Sequence, residues 1–333
     1  MTVFLYGKQN DRFLLWTLNA TCVIITSKAR CAFDFFIHFN LGGLCTVSAV
    51  PKCRRSFLQQ EQQPSAVGAT HKTALMLSFA APVVYVIAYL KGVGTMEHLI
   101  TYENLRCFTY SNDKICKLPI KGIAVSFFGL GGAQMFDEDT EEGKCFAEKG
   151  IIYIMPYNNP WAWMNQQAVK YTDEIIDVLI KQYHLSNDIP IVSTGGSMGG
   201  QSALVYTALS KRTPVACVAN CPVCDLVFHF TERPDLPRTL YSAFYHEDGS
   251  LEKALESASP IHMVERMPDV NYYIFHCECD KAVNKEKHSD VLINKMKNRF
   301  KVVYHIVPDR DHCDLTEDMR KRYNEYIYNS IKN

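Results

Sequence analysis

The sequence lacks net charge, because 35 Lys and Arg residues balance 35 Asp and Glu residues over 333 positions. It also lacks a basic patch of the kind that binds a phosphate backbone. We therefore exclude nucleic acid as a partner. Hydrophobic residues make up 47% of the chain, which is enough for a chain of this length to bury a full core.

The sequence also lacks the even cysteine count that a disulfide framework predicts, because it has 13 cysteines. No export signal begins at Met1, so the cysteine usage favours a reducing compartment, and we expect the protein to be cytoplasmic. Two short motifs, Cys221-Pro222-Val223-Cys224 and Cys277-Glu278-Cys279, offer four thiols for a zinc ion. Only the first has metal-site spacing. Free buried thiols are therefore the simpler interpretation, and we predict no metal and no cofactor.

A nucleophile motif stands out among the residues that are present. Gly195-Gly196-Ser197-Met198-Gly199-Gly200 lies between an apolar run at 189–192 and a helix-forming stretch at 201–206. A serine raised on a sharp strand-to-helix turn has strained backbone angles, so the residues two positions to either side must be small. Gly195 and Gly199 meet that need. Ser197 is the predicted nucleophile, although the same pattern also occurs in ordinary turns.

The partners of such a serine follow it in the order acid, then histidine, each after a later strand. The segment 271–276 is aromatic and β-branched, as in a buried strand, and Asp280 lies at its exit. A helical stretch at 285–298 leads to an alternating strand at 300–306, after which His312 lies in a polar loop. Ser197, Asp280 and His312 are therefore the predicted triad.

Other side chains compete for these roles. His276 and His305 fall inside predicted strands, where a packed or hydrogen-bonded role is simpler, since catalytic groups favour loops. Glu278 is an alternative to Asp280, and Asp309 or Asp311 is an alternative partner of His312. We interpret these three carboxylates as solvated loop charges.

The order of these motifs resembles the catalytic domain of prolyl oligopeptidase-type α/β-hydrolases. The resemblance covers about residues 100–330 and implies the same triad. It rests on motifs that are similar to those of the family: Gly195–Gly200, Ser259-Pro260-Ile261, His276-Cys277-Glu278-Cys279-Asp280 and Val283. The chain departs from the family at Cys277, Asn284 and Asp311, which puts loop geometry in question more than residue roles.

A glycine-rich loop, Gly129-Leu130-Gly131-Gly132, follows the predicted strand 123–128. An oxyanion hole takes one amide from such a loop and one from the residue after the nucleophile. We assign the backbone N–H groups of Leu130 and Met198. The family's His-Gly-x-Gly-Gly resembles this segment, with Phe128 in place of the histidine. A phosphate-binding loop is excluded because no Gly-Lys-Ser/Thr follows.

Alternating strand and helix patterns predict a mostly parallel central sheet flanked by helices, with a small helical cap at about 225–262. This is the α/β-hydrolase fold that the resemblance implies. Four residues follow the predicted strand 150–155 and either line a substrate pocket or pack under the cap: Tyr157, Asn158, Trp161 and Trp163.

Residues 1–95 differ in character from the predicted catalytic domain at 96–333, because they carry nine Lys or Arg against three Asp or Glu. The uncharged stretch 73–90 follows four basic residues and is interpreted as a membrane anchor or a buried helix. A membrane contact, or a membrane-anchored location, is predicted only through this stretch. In a third interpretation Met96 is the natural start.

These observations predict a serine hydrolase that forms an acyl-enzyme on small esters or short peptides. A carboxylesterase or acetyl esterase without peptidase activity is an alternative. A hypothesis of another class is a membrane-tethered or thiol-metal binding protein whose serine turn is vestigial. The sequence leaves the oligomeric state open.

Overall fold

The computed structural model describes five strands between residues 3 and 51, together with residues 100–247 and 249–332. The chain divides into two compact units, Met1–Gly92 and Val93–Asn333. Within the described residues, no helix has the length and apolar character that crossing a bilayer requires. The predicted anchor at 73–90 and the alternative start at Met96 lie outside the described residues.

The first unit contains a five-stranded antiparallel sheet in which neighbours in sequence are neighbours in space. Its strands are β1 (Val3–Tyr6), β2 (Arg12–Thr17), β3 (Thr21–Thr26), β4 (Phe33–Phe39) and β5 (Cys45–Pro51). Their β-branched and aromatic residues are typical of strands. The charge balance and the apolar stretch had not indicated this sheet.

A seven-stranded sheet forms the centre of the second unit. Its strands are β6 (Thr109–Ser111), β7 (Gly122–Phe127), β8 (Ile151–Pro156), β9 (Ile191–Gly196), β10 (Ala216–Asn220), β11 (Asn271–Cys277) and β12 (Lys301–Val307). Across the sheet they run β12-β11-β10-β9-β7-β8-β6. All neighbours are parallel except the edge strand β6, which is antiparallel to β8. The mostly parallel sheet was predicted, whereas β6 is too short to show a pattern.

Helices cover both faces of this sheet. They are α1 (Glu141–Glu148), α2 (Gln166–Gln182), α3 (Met198–Leu209), α4 (Leu226–Glu232), α5 (Leu236–Phe244), α6 (Leu251–Ser257), α7 (Pro260–Met263), α8 (Ser289–Met296) and α9 (Glu317–Lys332). Strand residues alternate between two cores: Ile123 and Val125 pack with α2, α3 and α8, whereas Ala124 packs with α1 and α9. This alternation gives three layers around a buried sheet.

The predicted cap at 225–262 is helical and consists of α4 to α7. Its apolar core includes Trp163, Leu240 and Phe244. The same core contains Met198 at the start of α3 and Val283 from the loop after β11. The cap is therefore packed against the carboxyl ends of the parallel strands, where the predicted site residues lie.

Candidate active site

Ser197 occupies the sharp turn between β9 and α3. Its φ of 59° and ψ of −125° are strained for a residue with a side chain, which costs about 1 to 3 kcal/mol and is typical of functional sites. A Cβ on Gly195 would lie 2.4 Å from Gly199 O, and a Cβ on Gly199 would lie 2.1 Å from Phe127 O. Neither position accepts a side chain, as the sequence predicted.

Two further residues fix this turn, and neither belongs to a motif that the sequence shows. The hydroxyl of Tyr323 on α9 accepts from Gly195 N at 3.1 Å and donates to Val218 O at 2.9 Å. At the end of β10, the backbone carbonyl of Asn220 accepts a hydrogen bond from the Ser197 N–H at 2.9 Å. The side-chain Nδ2 of Asn220 donates to Cys313 O at 3.2 Å. Asn220 thus connects the serine turn to the histidine loop.

Asp280 and His312 meet at the ends of β11 and β12. His312 Nδ1 lies 2.7 Å from Asp280 Oδ2, while Asp280 Oδ1 accepts from the N–H groups of Ala282 and Val283 at 2.9 Å. Burial raises the pKa of Asp280, but hydrogen bonds from His276 and His312 outweigh burial and hold it well below its usual range. Burial lowers the pKa of His312, yet the contacts with Asp280 and Cys221 together outweigh burial and raise the pKa to about 9.

Ser197 and His312 line the same cavity, which has a volume of about 450 Å³. Among the described residues, however, no hydrogen bond joins their side chains. His312 Nε2 lies 3.7 Å from Cys313 Sγ instead. Hydrogen bonds of this kind are often long in free enzymes and tighten when substrate binds. The fold therefore pairs Asp280 with His312 and places Ser197 across the same cavity.

The competing residues have other contacts. His305 stacks on Phe275 and contacts Tyr326 Oη at 2.9 Å. The three alternative carboxylates are exposed: Glu278, Asp309 and Asp311.

His276 is fully buried in β11, as expected of a strand residue. Its Nδ1 lies 2.6 Å from Ser289 Oγ, and its Nε2 lies 3.1 Å from Val283 O and 3.3 Å from Asp280 Oδ2. It therefore contacts the same Asp280 oxygen as the cavity-lining His312.

The glycine-rich loop passes close to the serine turn. A Cβ on Gly129 would lie 3.9 Å from Ser197 Cβ, and Leu130 lines the same cavity. Gly131 has a φ of +79°, which favours glycine at this turn. Within the described residues, the N–H groups of Leu130 and Met198 have no hydrogen-bond acceptor. Both donors are thus unengaged beside Ser197.

The four aromatic and polar candidates separate into two places. Trp163 lines the Ser197 cavity, and its Nε1 donates to Thr239 Oγ1 at 3.2 Å. Tyr157, Asn158 and Trp161 line a second cavity of about 340 Å³, which Ser197 does not border. Their part in substrate binding stays a prediction.

A second pair of histidines shares a carboxylate beside the same cavity, and it was not predicted. His229 and Arg233 on or next to α4 line the cavity. His229 Nδ1 lies 2.5 Å from Glu232 Oε2, and His288 Nε2 lies 3.0 Å from the same oxygen. His229 and Glu232 are three residues apart on a short helix, but only tertiary packing brings them to His288 and the cavity, so the sequence carried no clear signal.

The four cysteines considered for zinc do not form one site. Cys279 is exposed, and Cys224 Sγ donates to Pro222 O at 3.3 Å. Among the described residues, neither belongs to a group that places three possible ligands together.

Several solved structures are similar to this chain. An acylaminoacyl peptidase aligns with 63% of this chain and 37% of its own, at 15% identity and a TM-score of 0.51. A puromycin hydrolase aligns with 63% of this chain and 33% of its own, at 14% identity and a TM-score of 0.50. Esterase B from Lactobacillus rhamnosis aligns over 79% of this chain and 96% of its own, at 10% identity and a TM-score of 0.50.

The chain has the α/β-hydrolase fold. It spans about a third of the length of the puromycin hydrolase. No protein-family model and no curated protein sequence matches it. At these identities the likeness establishes the fold, whereas the chemistry depends on the residues of the site.

Proposed function

We propose that the protein is a serine hydrolase in which Ser197, His312 and Asp280 form the catalytic triad. The observation that carries this proposal is the Asp280–His312 pair, which faces a cavity that it shares with a serine on a strained strand-to-helix turn. The order of the three residues agrees with the order usual in this fold. The similar solved structures include a peptidase and an esterase, which supports acyl transfer.

In the proposed mechanism, Ser197 Oγ attacks the substrate carbonyl while His312 Nε2 takes the hydroxyl proton. The Asp280 carboxylate accepts the hydrogen bond from His312 Nδ1–H, which fixes the imidazole tautomer and stabilises the imidazolium. The N–H groups of Leu130 and Met198 stabilise the oxyanion, and each such donor contributes about 2.7 to 4 kcal/mol in the transition state. His312 then protonates the leaving group, and water hydrolyses the acyl-enzyme by the same route.

Small esters and short peptide amides are the proposed substrates, because a cavity of about 450 Å³ suits small ligands. A panel of acyl esters against aminoacyl and prolyl amides tests this choice. Turnover of both classes supports a peptidase with esterase activity, whereas turnover of esters alone supports the carboxylesterase alternative. We place the protein in the cytoplasm, because the described cysteines are free thiols.

Labelling with a fluorophosphonate probe tests the nucleophile. We expect the intact chain to label and Ser197→Ala to lose both labelling and activity, by about 10⁴-fold or more in kcat. Ser210→Ala, at the other end of α3, is the matched control and should label normally. Failure of the intact chain to label, or equal labelling of Ser197→Ala, would favour the non-enzyme alternative with a vestigial serine turn.

A further inference from the structure

Three groups of side chains in the described residues each bring possible metal ligands within 4.8 Å of one another. The groups are Cys221–His312–Cys313, Cys221–His276–Asp280 and His229–Glu232–His288. A metal ion binds the lone pair of an imidazole nitrogen, so a nitrogen that carries a proton is not a ligand. The hydrogen bonds of each histidine therefore decide which group can bind an ion.

Two groups fail this requirement. His288 Nδ1 accepts from the N–H groups of Cys224 and Asp225, so its proton is on Nε2, which faces Glu232. His276 Nε2 faces Val283 O at 3.1 Å, and a carbonyl only accepts, so this nitrogen also carries a proton. In both groups the nitrogen that points to the other ligands is a donor.

His312 has the opposite arrangement. In the neutral form of His312, Nδ1 donates to the Asp280 carboxylate at 2.7 Å, which leaves the Nε2 lone pair free and directed away from Asp280. A carboxylate behind a metal-bound histidine is a common second partner, because it fixes the tautomer and raises the basicity of the ligand nitrogen. His312 is thus prepared as a ligand through Nε2.

The separation between Cys313 Sγ and His312 Nε2 fits tetrahedral zinc. Zinc bonds of about 2.3 Å to sulfur and about 2.0 Å to nitrogen require a sulfur-to-nitrogen separation of about 3.5 Å. The observed separation between Cys313 Sγ and His312 Nε2 is 3.7 Å. Cys221 Sγ accepts from the backbone N–H groups of Cys277 and Cys313 at 3.3 and 3.4 Å. The side-chain contact with Cys277 lowers the pKa of Cys221, but the contact with Cys313 and burial outweigh it and raise the pKa to about 11, so zinc has to displace the proton of this thiol.

Backbone strain at the two cysteines is a second, independent observation. Cys221 has a φ of 45° and Cys313 a φ of 58°. Glycine would adopt either conformation without the cost of about 1 to 2 kcal/mol that a side chain incurs. Residues held in this region cluster at functional sites, and Cys313 lines the same cavity as the strained Ser197.

We propose that Cys221 Sγ, His312 Nε2 and Cys313 Sγ bind a Zn²⁺ ion, with water from the cavity as the fourth ligand, and that zinc inhibits the enzyme. Binding releases the two thiol protons and uses the Nε2 lone pair. Because that lone pair is also the one that takes the Ser197 proton, the zinc-bound chain cannot begin acyl transfer. The inhibition rests on the proposed function, whereas the binding does not.

The binding test uses the full Ser197→Ala chain, titrated with Zn²⁺ in competition with a chromophoric chelator in mildly alkaline buffer. We expect one ion per chain and an X-ray absorption spectrum with two sulfur ligands and one imidazole. Cys221→Ser and Cys313→Ser should each weaken binding on the order of tenfold or more. Cys145→Ser, which replaces an exposed thiol on α1, is the matched control and should bind zinc normally.

The inhibition test measures fluorophosphonate labelling of the intact chain with and without Zn²⁺. We expect zinc to block labelling, a chelator to restore it, and Cys313→Ser to resist zinc while circular dichroism shows a native fold. Absence of bound zinc, or unchanged affinity in both cysteine variants, overturns the site. Zinc that binds but leaves labelling intact overturns His312 as a ligand. An intact chain that never labels contradicts the proposed function, and the binding titration still decides the zinc site.

Discussion

Two histidine pairs beside the Ser197 cavity have the same construction. Asp280 lies between His312 and His276, and Glu232 lies between His229 and His288. In each case one carboxylate oxygen faces both imidazoles. The other oxygen accepts from backbone N–H groups, which belong to residues 282 and 283 for Asp280 and to residue 284 for Glu232. One histidine of each pair lines the cavity, and the other is fully buried.

Their environments differ. The side chain of His312 is 25% exposed, whereas that of His229 is 2% exposed. Burial is the largest influence on both histidines. It lowers the pKa of His229, whereas at His312 the contacts with Asp280 and Cys221 together outweigh it and raise the pKa. A histidine–carboxylate pair is therefore not a sufficient signature of a catalytic base. Both imidazoles line the cavity, and the exposed fraction of the side chain separates the two.

The largest expected difference between the pairs is in catalysis. Asp280→Asn should lower kcat by about 10⁴-fold, because an amide cannot hold the imidazole tautomer that accepts the serine proton. Glu232→Gln, the matched change in the other pair, should lower kcat less than about tenfold. Steady-state kinetics on an ester substrate measures both. A larger loss of kcat in Glu232→Gln than in Asp280→Asn would assign the catalytic base to His229 instead of His312.

The pH dependence of activity also distinguishes the two histidine pairs. Only neutral His312 can accept a proton, so kcat/KM should rise about tenfold per pH unit until the pH reaches the His312 pKa of about 9. In Glu232→Gln this profile should keep its midpoint. A profile that levels off near the ordinary histidine pKa in the intact chain would contradict the Asp280–His312 assignment.

Stability should depend on pH in opposite directions for the two cavity histidines. The pKa of His312 is raised on folding, so its stabilisation is complete below the unfolded value of about 6.5 and is lost as the pH rises through about 9. The pKa of His229 is lowered on folding, so its stabilisation is complete above about 6.5 and is lost as the pH falls through its folded value. Urea unfolding of Asp280→Asn across this range should lose the alkaline limb, because the Asp280 contacts raise the His312 pKa. Glu232→Gln should keep and enlarge the acid limb, because burial lowers the His229 pKa and Glu232 opposes that effect.

The buried histidines should give the smallest effects. His288→Phe leaves the N–H groups of Cys224 and Asp225 without an acceptor, so the free energy of unfolding should fall by about 1 to 3 kcal/mol. His276→Phe should cost a similar amount, and it alone should also lower kcat, because His276 contacts Asp280. Urea titration and kinetics on both variants check this. Equal kcat values would limit His276 to a packing role.

The sequence predicted the second unit well where patterns are local. The apolar runs at 123–128 and 271–276 became β7 and β11 within one residue at each end, and the helical pattern at 165–185 became α2. The helix predicted at 285–298 begins later, at Ser289, because the preceding residues turn to bring His288 against the amides of Cys224 and Asp225. That contact joins distant segments, so no local pattern shows it.

Glycine spacing and strand exits are local properties, so the amino-acid pattern predicted the serine turn and the positions of Asp280 and His312 after later strands. The set of side chains that share a cavity depends instead on tertiary packing. This packing brought His229 from the cap, Cys313 from the histidine loop and Cys221 from the end of β10 to one edge of the sheet. Parallel strands deliver residues far apart in sequence to the same edge, and their spacing there depends on sheet order and cap packing, which no single segment encodes.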